Sequence, residues 1–444
     1  MAGIAGISTT NAAKEVAEML EKIRYRGRHD ISVSENDGTT LGIIWNDNES
    51  VSVRKYLNAG ETGYYNSPGS FVRVRPEKGR FIIYRDELGV TPLYYGRDEK
   101  GNTCFASEVK ALLPVVKEIK ELSPGHILDG NGERRYYSLT RSAGSEKSHE
   151  EIASGLHDLL DKAVKGCIRT EDAGSWLSGG LDSSVICALA SGHVRKLKTF
   201  SAGLKGAPDL EFAREAASYI KSEHHELVIT VQELISALPE VIFHLESFDA
   251  LLVRSSLTNY LVGRMASDHV SEVFSGEGGD ELFAGYEYLK SIPVEDLGEE
   301  LVRITCSMHN TALQRVDRCA SAHGLTAHVV FADPAVVEFA FTIPDEYKIY
   351  DNTEKWLLRK AMEGLLPEKI LMREKAKFWE GAGIMELISD YADTVITDHD
   401  FAAERLLPDG TVINSREELL YYRIFRDHFG SDISLSWMGR TKAT

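Results

Sequence analysis

Apolar and polar positions alternate over short stretches in the first third of the chain and over longer, helical stretches after it. Brief apolar runs between Gly- and Asn-rich turns are typical of strands in antiparallel sheets. Asn11 to Ile23 is an exception, because its apolar residues recur at helical spacing. The runs predicted as strands are Gly3–Ile7, Leu41–Trp45, Phe71–Val74, Arg80–Tyr84, Pro92–Tyr95 and Thr103–Ala106.

From Ile152 onward, amphipathic stretches alternate with short apolar runs. This alternation predicts βαβ units and a parallel sheet covered on both faces, with a ligand crevice beyond the carboxyl ends of the strands. A polar stretch with Ser and Gly, residues 141–150, is the predicted linker. We therefore expect two domains, residues 1–140 and 151–444. The predicted elements after the linker are helices Ile152–Val164, Ser183–Ser191 and Asp209–Ile220, and strands Gly174–Leu177, Leu197–Ala202 and Glu226–Ile229.

Composition adds limits to this picture. With 444 residues, 43% hydrophobic and 27% charged, the chain can bury the cores of two or three domains. A net charge of −18 argues against a general binder of nucleic acid or of membrane surfaces. No apolar run reaches the length of a membrane span, and the five cysteines are scattered. Reduced thiols, without a metal or disulfide role, and a cytoplasmic location are expected.

The stretch Ser178–Ser184, S-G-G-L-D-S-S, follows the apolar pair Trp176-Leu177 and opens a predicted helix. A strand, a Gly-rich turn and a helix N-terminus together aim backbone N–H groups at one point, which suits a phosphate or pyrophosphate. Asp182 inside the turn indicates that Mg²⁺ lies between the loop and its anion. A Gly-Gly turn before a helix is more often only structural, but seven residues in this order are more specific. No Lys ends the loop, so it differs from a Walker A motif.

A second motif, Ser275–Tyr286, reads S-G-E-G-G-D-E-L-F-A-G-Y. It places Glu277, Asp280 and Glu281 within five residues, and these carboxylates would repel each other unless a cation or a proton separates them. The alternative is an acidic helix N-terminus, favoured by the helix dipole. That alternative explains Asp280 and Glu281 but not the glycines around Glu277.

A third motif, Arg373–Phe378, is basic and is followed by two glycines. A solvated basic patch is the simplest interpretation when the motif is taken alone. A Gly-rich segment with lysines could instead close over a phosphate and neutralise the leaving group.

Taken together, these motifs make the sequence resemble glutamine-dependent asparagine synthetases, loosely over residues 1–140 and closely over 150–435. The resemblance implies an α+β protein with a reduced, Ntn-hydrolase-like αββα sandwich and an α/β ATP-pyrophosphatase (PP-loop) synthetase domain. Further stretches that fall in family order are Phe200-Ser201, Phe212–Arg214, His224–Glu226, Glu246–Asp249, Arg254–Ser256, Arg315–Arg318, Phe331–Asp333, Leu357–Arg359 and Glu417–Phe429.

What the resemblance implies is a two-step reaction, in which ATP adenylates a carboxylate, pyrophosphate leaves, and an amine or ammonia then displaces AMP. Asp182 and Asp280 would hold Mg²⁺, Lys375 would stabilise the leaving pyrophosphate, and Glu277 would act as general base. Arg254 would bind an anionic group of the acyl substrate. The residues expected to bind ATP are Leu177, Ser178, Gly179, Gly180, Asp182, Ser183, Ser184, Ser275 and Gly276.

Two departures from the family pattern change the expectation. The family's nucleophilic cysteine at residue 2 is replaced by Ala2, and the residues that grip glutamine have no counterpart between Leu41 and Phe71. An engineered change would leave that pocket intact, so natural decay of the glutaminase domain is favoured. Leu251-Leu252 stand where asparagine synthetases carry two threonines. They indicate a less polar acyl substrate, or they face the core while aspartate binds elsewhere.

Three functions stay open at this point. The default is a ligase that makes asparagine, or a related amide, from aspartate and ammonia without its own glutaminase. The second is a specialised amide ligase or cyclase that uses another carboxylate and amine. The third is a non-catalytic binding or regulatory protein, which the retained motifs disfavour. A separate ammonia-supplying protein and a homodimer are further partners that the resemblance leaves open.

Overall fold

A computed structural model of the chain describes residues 1–29, 31–141, 144–374 and 385–441. The first structural unit is rich in strands and has few helices. Its helices are α1 (Ala13–Glu21), α2 (Ser50–Asn58) and α3 (Val109–Leu112). Its strands are β1 (Gly3–Ile7), β2 (Ser32–Asn36), β3 (Thr39–Ile44), β4 (Thr62–Ser67), β5 (Ser70–Glu77), β6 (Arg80–Arg85), β7 (Tyr94–Arg97), β8 (Thr103–Ala106), β9 (Ile119–Glu121), β10 (His126–Asp129) and β11 (Gly132–Arg135).

Two antiparallel sheets form this unit, in the orders β2-β3-β1-β8-β7-β9 and β11-β10-β6-β5-β4. Their facing sides bury a common apolar core that includes Ile4, Val72 and Phe105. Helix α1 packs on the outer side of the first sheet, and Val53 of α2 belongs to the core between the sheets. The outer side of the second sheet carries polar, partly exposed residues such as Arg73 and Arg75. Ile82 and Tyr84 share that side, because they pair in register with Arg75 and Arg73. The αββα sandwich stays a prediction.

The second unit alternates helices with short strands. Its strands are β12 (Gly174–Trp176), β13 (Lys198–Leu204), β14 (Glu223–Ile229), β15 (Glu272–Ser275), β16 (Thr326–Val329), β17 (Ile349–Tyr350) and β18 (Thr353–Glu354). Its helices are α4 (His149–Cys167), α5 (Leu181–Ser191), α6 (Pro208–Ile220), α7 (Val231–Leu245), α8 (Ala250–Ser267), α9 (Gly279–Phe283), α10 (Val294–Cys306), α11 (Ala312–Ser321), α12 (Pro334–Ala340), α13 (Trp356–Ala361), α14 (Glu368–Leu371), α15 (Met385–Val395), α16 (Asp398–Glu404) and α17 (Arg416–Phe429).

Strands β14-β13-β12-β15-β16 form a parallel sheet in that order, which confirms the predicted parallel sheet. The chain runs outward from β12 to β13 and β14, then returns to the other side of β12 for β15 and β16. The strand order therefore reverses between β12 and β15, where ligands bind in open α/β sheets. In the part of the chain that the structure describes, no helix is long and apolar enough to cross a membrane.

A buried cluster of ion pairs joins the two units. Arg26 of the first unit contacts Glu108 at 2.6 Å and Asp317 of α11 at 2.7 Å, and both sides of these pairs are almost fully buried. Arg318 of α11 contacts Glu108 at 2.9 Å and Glu246 at 3.0 Å. With Lys110, which pairs with both glutamates, the cluster holds three cations and three anions. Because the charges balance, their burial is compensated by direct pairing.

His244 lies beside this cluster and gives the interface a pH dependence. Burial, reinforced by the nearby Lys110 charge, lowers the pKa of His244 to about 3. The unfolded chain takes up a proton on this residue near pH 6.5, whereas the folded chain stays neutral down to its lowered pKa. The stability that neutral His244 contributes is therefore present above pH 6.5 and is lost progressively as the pH falls from 6.5.

We expect His244→Phe to flatten the pH dependence of unfolding between pH 6 and pH 4. The slope of the free energy of unfolding against pH should fall by about one proton, or about 1.4 kcal/mol per pH unit. Urea midpoints measured across this range test the change, with the exposed His157→Phe as the matched control. Parallel pH profiles for wild type and His244→Phe would contradict it.

Candidate active site

The loop Ser178–Ser184 connects β12 to α5 as predicted. Gly179 has φ +74°, and a Cβ there would stand 2.6 Å from the backbone nitrogen of Ala213, so only glycine fits. Gly180 caps α5 without a side chain, which leaves the first N–H groups of that helix available to a ligand. Ser178 and Ser183 place their hydroxyl oxygens 3.0 Å apart. The loop thus presents hydroxyls and a helix N-terminus at the carboxyl end of β12, the geometry of a phosphate site.

The second motif begins at the end of the neighbouring strand β15 and touches this loop. A Cβ on Gly276 would lie 2.6 Å from the backbone nitrogen of Ser183, so the two backbones approach too closely for any side chain. Gly278 has φ +100° and turns the chain into α9, which carries Asp280. This close approach brings Glu277 and Asp280 to the mouth of the Ser178–Ser184 loop.

Lys355 joins the carboxylates of the two motifs. Its ammonium nitrogen lies 2.5 Å from Asp182 Oδ2 and 2.6 Å from Asp280 Oδ1, and its side chain is buried. The β17–β18 hairpin, which turns at Asp351-Asn352 with positive φ at both residues, leads directly into Lys355. Two carboxylates that share one cation form an acidic pair that also suits Mg²⁺, which takes one or two protein carboxylates and completes its shell with water and phosphate oxygens.

Glu281 responds differently to the same crowding. Burial, with the neighbouring Asp280 charge, raises the pKa of Glu281 to about 7. Tyr286 donates a hydrogen bond of 2.6 Å to its Oε1. The sequence predicted that a cation or a proton must separate these carboxylates; Lys355 provides the cation at Asp280, and the raised pKa favours a proton on Glu281. No group of three or more His, Cys, Asp or Glu within the described ranges has a metal-binding arrangement.

A cavity of about 600 Å³ opens at the junction of the two motifs. Ser184 is buried, and Gly179 packs against Phe212, so neither of these two predicted ATP-binding residues lines the cavity. The predicted site residues that do line it are Leu177, Ser178, Gly180, Asp182, Ser183, Ser275, Gly276, Glu277 and Asp280.

Glu277 faces this cavity from its β15–α9 loop and pairs with Arg315 of α11. Arg315 Nη2 lies 2.8 Å from Glu277 Oε1, and Arg315 Nη1 donates to Ser255 Oγ of α8 at 2.8 Å. Burial opposes the charge of Arg315, but the Glu277 carboxylate outweighs it and raises the pKa of the guanidinium. Glu277 remains 29% exposed, so its second oxygen can reach a ligand.

The residues predicted on the acyl side differ in whether they line the cavity. Leu251 and Leu252 both line the cavity, and Leu252, which is 3% exposed, also belongs to the apolar core. Arg254 does not line it, because its guanidinium makes two hydrogen bonds with Glu417 of α17. Arg254 thus holds α17 against α8 rather than facing the cavity. Lys375 lies outside the described residues.

In the first unit, Ala2 is fully buried and its backbone is held on both sides. Its N–H donates to Glu49 Oε1 at 2.7 Å, and its carbonyl accepts from Arg26 Nε at 3.2 Å. Arg26 also binds Asp317 of α11, so the Ala2 strand is tied to the helix that carries Arg315. The position where the family carries its nucleophilic cysteine is therefore occupied here by a fully buried residue with a hydrogen-bonded backbone.

Sequence reasoning did not identify Lys355 or Arg315 as site residues. Lys355 follows a strand–turn–strand signal, Asp351-Asn352, but Asp182 lies 173 positions away in the chain, so its direction depends on the tertiary fold. Arg315 belongs to the stretch Arg315–Arg318, which matches the family in order. The sequence of this stretch does not indicate which of its residues faces the cavity and which face the first unit.

Comparisons with known proteins agree with this geometry. The profile of the asparagine synthase family matches residues 155–303 and 291–439, and that of the glutamine amidotransferase domain matches residues 46–143. Asparagine synthetase [glutamine-hydrolyzing] from Zea mays is 36% identical over 82% of this chain and 66% of its own length. Asparagine synthetase B [glutamine-hydrolyzing] from Escherichia coli is 33% identical over 81% of this chain and 69% of its own.

The matched region spans about two thirds of the length of these curated relatives. Among solved structures, NMN synthetase from Francisella tularensis matches 67% of this chain and 100% of its own at 15% identity, with a TM-score of 0.29.

Proposed function

Because the chain belongs to the asparagine synthase family, we propose that it is an ATP-dependent ligase that joins a carboxylate to ammonia or an amine. A carboxylate oxygen attacks the α-phosphorus of ATP, and pyrophosphate leaves to give an acyl-adenylate. The nitrogen then attacks the acyl carbon, AMP leaves with the C–O bond electrons, and a proton is lost from nitrogen. The observation that carries this proposal is the contact of the two motifs, which brings Asp182, Glu277 and Asp280 into one cavity.

The phosphate end of the cavity suits the first step. Ser178, Ser183 and the open N-terminus of α5 would hold the phosphates by N–H and O–H donors. Asp182 and Asp280 would hold Mg²⁺, which when bound neutralises charge on the phosphates. Lys355, 2.5 Å and 2.6 Å from these two carboxylates, is placed to shift onto the departing pyrophosphate. The role predicted for Lys375, to stabilise the leaving pyrophosphate, is kept in this proposal.

The other end suits the second step. Glu277 would remove the proton from the attacking nitrogen, a general-base role that needs a carboxylate with an accessible oxygen. Arg315 holds one oxygen of Glu277 at 2.8 Å, and Glu277 lines the cavity with 29% of its side chain exposed. Arg254 has a positioning role, because its pair with Glu417 fixes the first turns of α8.

We propose that the chain does not hydrolyse glutamine, so that nitrogen comes from free ammonia, from a partner protein or from a substrate amine. The methyl side chain of Ala2 has no nucleophilic atom, and the surrounding backbone is packed. A cytoplasmic location and a homodimer stay predictions.

The proposal is tested by pyrophosphate and AMP release with aspartate as the acid. Release with ammonium but not with glutamine supports it. Equal release with glutamine as sole nitrogen source contradicts the loss of glutaminase activity. No ATP binding would favour the non-catalytic alternative instead.

A specialised ligase for a less polar acid is the second candidate, and one observation favours it. Leu251 and Leu252 line the cavity where two hydroxyls would be expected in an aspartate site. A polar substrate loses the hydrogen bonds that select it, whereas an apolar acyl group gains contact area. ATP–pyrophosphate exchange screened across carboxylic acids tests this choice. Exchange with aspartate alone would exclude it.

Lys355→Met is expected to slow ATP–pyrophosphate exchange by about 10²-fold, since one preorganised charge at the leaving group is lost. The same change leaves Asp182 and Asp280 without their shared cation. The apparent affinity for Mg²⁺ should therefore not fall, which distinguishes a role at pyrophosphate from a role in metal binding. Lys290→Met, on a surface ion pair, is the matched control. Exchange at the wild-type rate would refute the role given to Lys355.

A further inference from the structure

The segment Trp437–Thr441, here called the strap, crosses the second unit beside the cavity. It is fixed at both ends. The Trp437 side chain is 4% exposed and meets Tyr94 of the first unit edge to face, with ring centroids 6.1 Å apart. At the other end, Thr441 donates its backbone N–H and its hydroxyl to Asp249, at 2.8 Å and 2.7 Å. The segment is therefore anchored to both units, through Tyr94 at one end and Asp249 at the other.

The middle of the strap is closely packed and lines the cavity. Gly439, Arg440 and Thr441 are all lining residues. A Cβ on Gly439 would lie 2.4 Å from Cβ of Asn310, which also lines the cavity, so the strap passes without space for a side chain. Arg440 pairs with Glu418 and lies over the Phe248 ring, with 5.7 Å from its guanidinium carbon to the ring centroid. Its charge is thus paired with that of Glu418.

Asp249 couples the strap to the acyl side of the cavity. Its Oδ1 accepts the N–H of Leu252 at 2.9 Å as the cap of α8, and the same carboxylate binds Thr441. One buried carboxylate therefore fixes both the strap and the helix turn that carries Leu251 and Leu252. The next turn of α8 carries Ser255, which binds Arg315 and through it Glu277. The strap consequently stands at the Glu277 end of the cavity, where the acyl carbon must lie.

We propose that the strap sets the size of the acyl substrate, limiting it to compact carboxylic acids that fit between Leu251, Leu252 and the Gly439–Thr441 backbone. This inference rests on the proposed ligase function and names a determinant of its substrate class. The strap residues act by excluded volume, without touching the reacting atoms.

The test is Gly439→Ala, whose Cβ would stand 2.4 Å from Cβ of Asn310. The strap must then move away from Asn310, and we expect this movement to enlarge the acyl side of the cavity. Two homologous series, aspartate, glutamate and 2-aminoadipate, and butanoate, pentanoate and hexanoate, are compared by ATP–pyrophosphate exchange. We expect the ratio of kcat/KM for the longest to the shortest active acid to rise about tenfold, because one methylene group in a fitted pocket commonly changes kcat/KM by about this factor. The KM for ATP should stay within about twofold, because the phosphate end is untouched.

Asn310→Gly in the Gly439→Ala background removes the atom that the new Cβ strikes, and it should restore the wild-type ratio. Thr441→Val, which removes one of the two bonds to Asp249 and adds no clash, should shift the ratio in the same direction by a smaller factor. If Gly439→Ala does not fold, the ratio measured for Thr441→Val still tests the proposal.

If Gly439→Ala leaves the ratio unchanged, the role of the strap is wrong, while the ligase function stands. The same holds if kcat/KM falls equally for every acid and Asn310→Gly does not restore it. Absence of exchange with every acid in the wild type overturns the ligase function and this inference with it. The two failures are distinguishable, because the second occurs in the unmodified protein.

Discussion

Glu277→Gln is expected to lower amide formation by about 10²- to 10⁴-fold, the usual contribution of a positioned general base. Glutamine is nearly isosteric and can still accept the hydrogen bond that Arg315 donates at 2.8 Å, so the loop should keep its geometry. It lacks a basic oxygen for the attacking nitrogen. The adenylation step does not use this base, and ATP–pyrophosphate exchange should stay within a few fold of wild type.

The measurement compares exchange with AMP release in the presence of ammonium. Glu287→Gln is the matched control, since Glu287 is an 81% exposed residue of a surface ion pair. If both activities fall together, Glu277 acts in binding ATP rather than in amide formation. If neither falls, the general-base assignment is wrong.

Arg26→Met is expected to destabilise the protein by about 3–5 kcal/mol, because it leaves Glu108 and Asp317 with less compensation for their buried charge. Both carboxylates are almost fully buried. The change should lower the apparent Tm by about 3–5 °C. Activity with ammonium should also fall, since Asp317 is on the helix that carries Arg315.

Arg75→Met is the control for this prediction. Arg75 Nη2 lies 4.0 Å from Glu77 Oε1, and the two side chains are 44% and 55% exposed. Removing such a pair should cost about 1 kcal/mol or less. Similar melting temperatures for the two variants would show that the interdomain cluster contributes no more than a surface pair.

The sequence predicted where the two motifs lie in the fold, because local geometry decides their positions. The Ser178–Ser184 and Ser275–Tyr286 motifs follow neighbouring strands of a parallel sheet, and the carboxyl ends of such strands meet at one edge. The strands Gly3–Ile7 and Thr103–Ala106 were predicted with their observed bounds, because both are apolar and buried. Their hydrophobic pattern is therefore sufficient to predict these two strands.

The sequence failed where distant segments decide the outcome. Arg254 was expected to face a substrate, but its partner Glu417 is 163 positions away and comes from a helix whose docking no local pattern reveals. The strands Ser32–Asn36 and Gly132–Arg135 were not predicted, since their residues are mostly polar and exposed and show no apolar alternation. Pairing with a neighbouring strand stabilises them instead.

The buried ion cluster between the units makes the second unit depend on the first. The first unit supplies Arg26, Glu108 and Lys110 to this cluster, and the second unit supplies Asp317, Arg318 and Glu246. Without the first unit, these three residues of the second unit would lose partners that compensate their buried charge. The first unit therefore stabilises the second as one half of a permanent subunit interface stabilises the other, and its loss would destabilise the protein even if the first unit carries out no chemistry of its own.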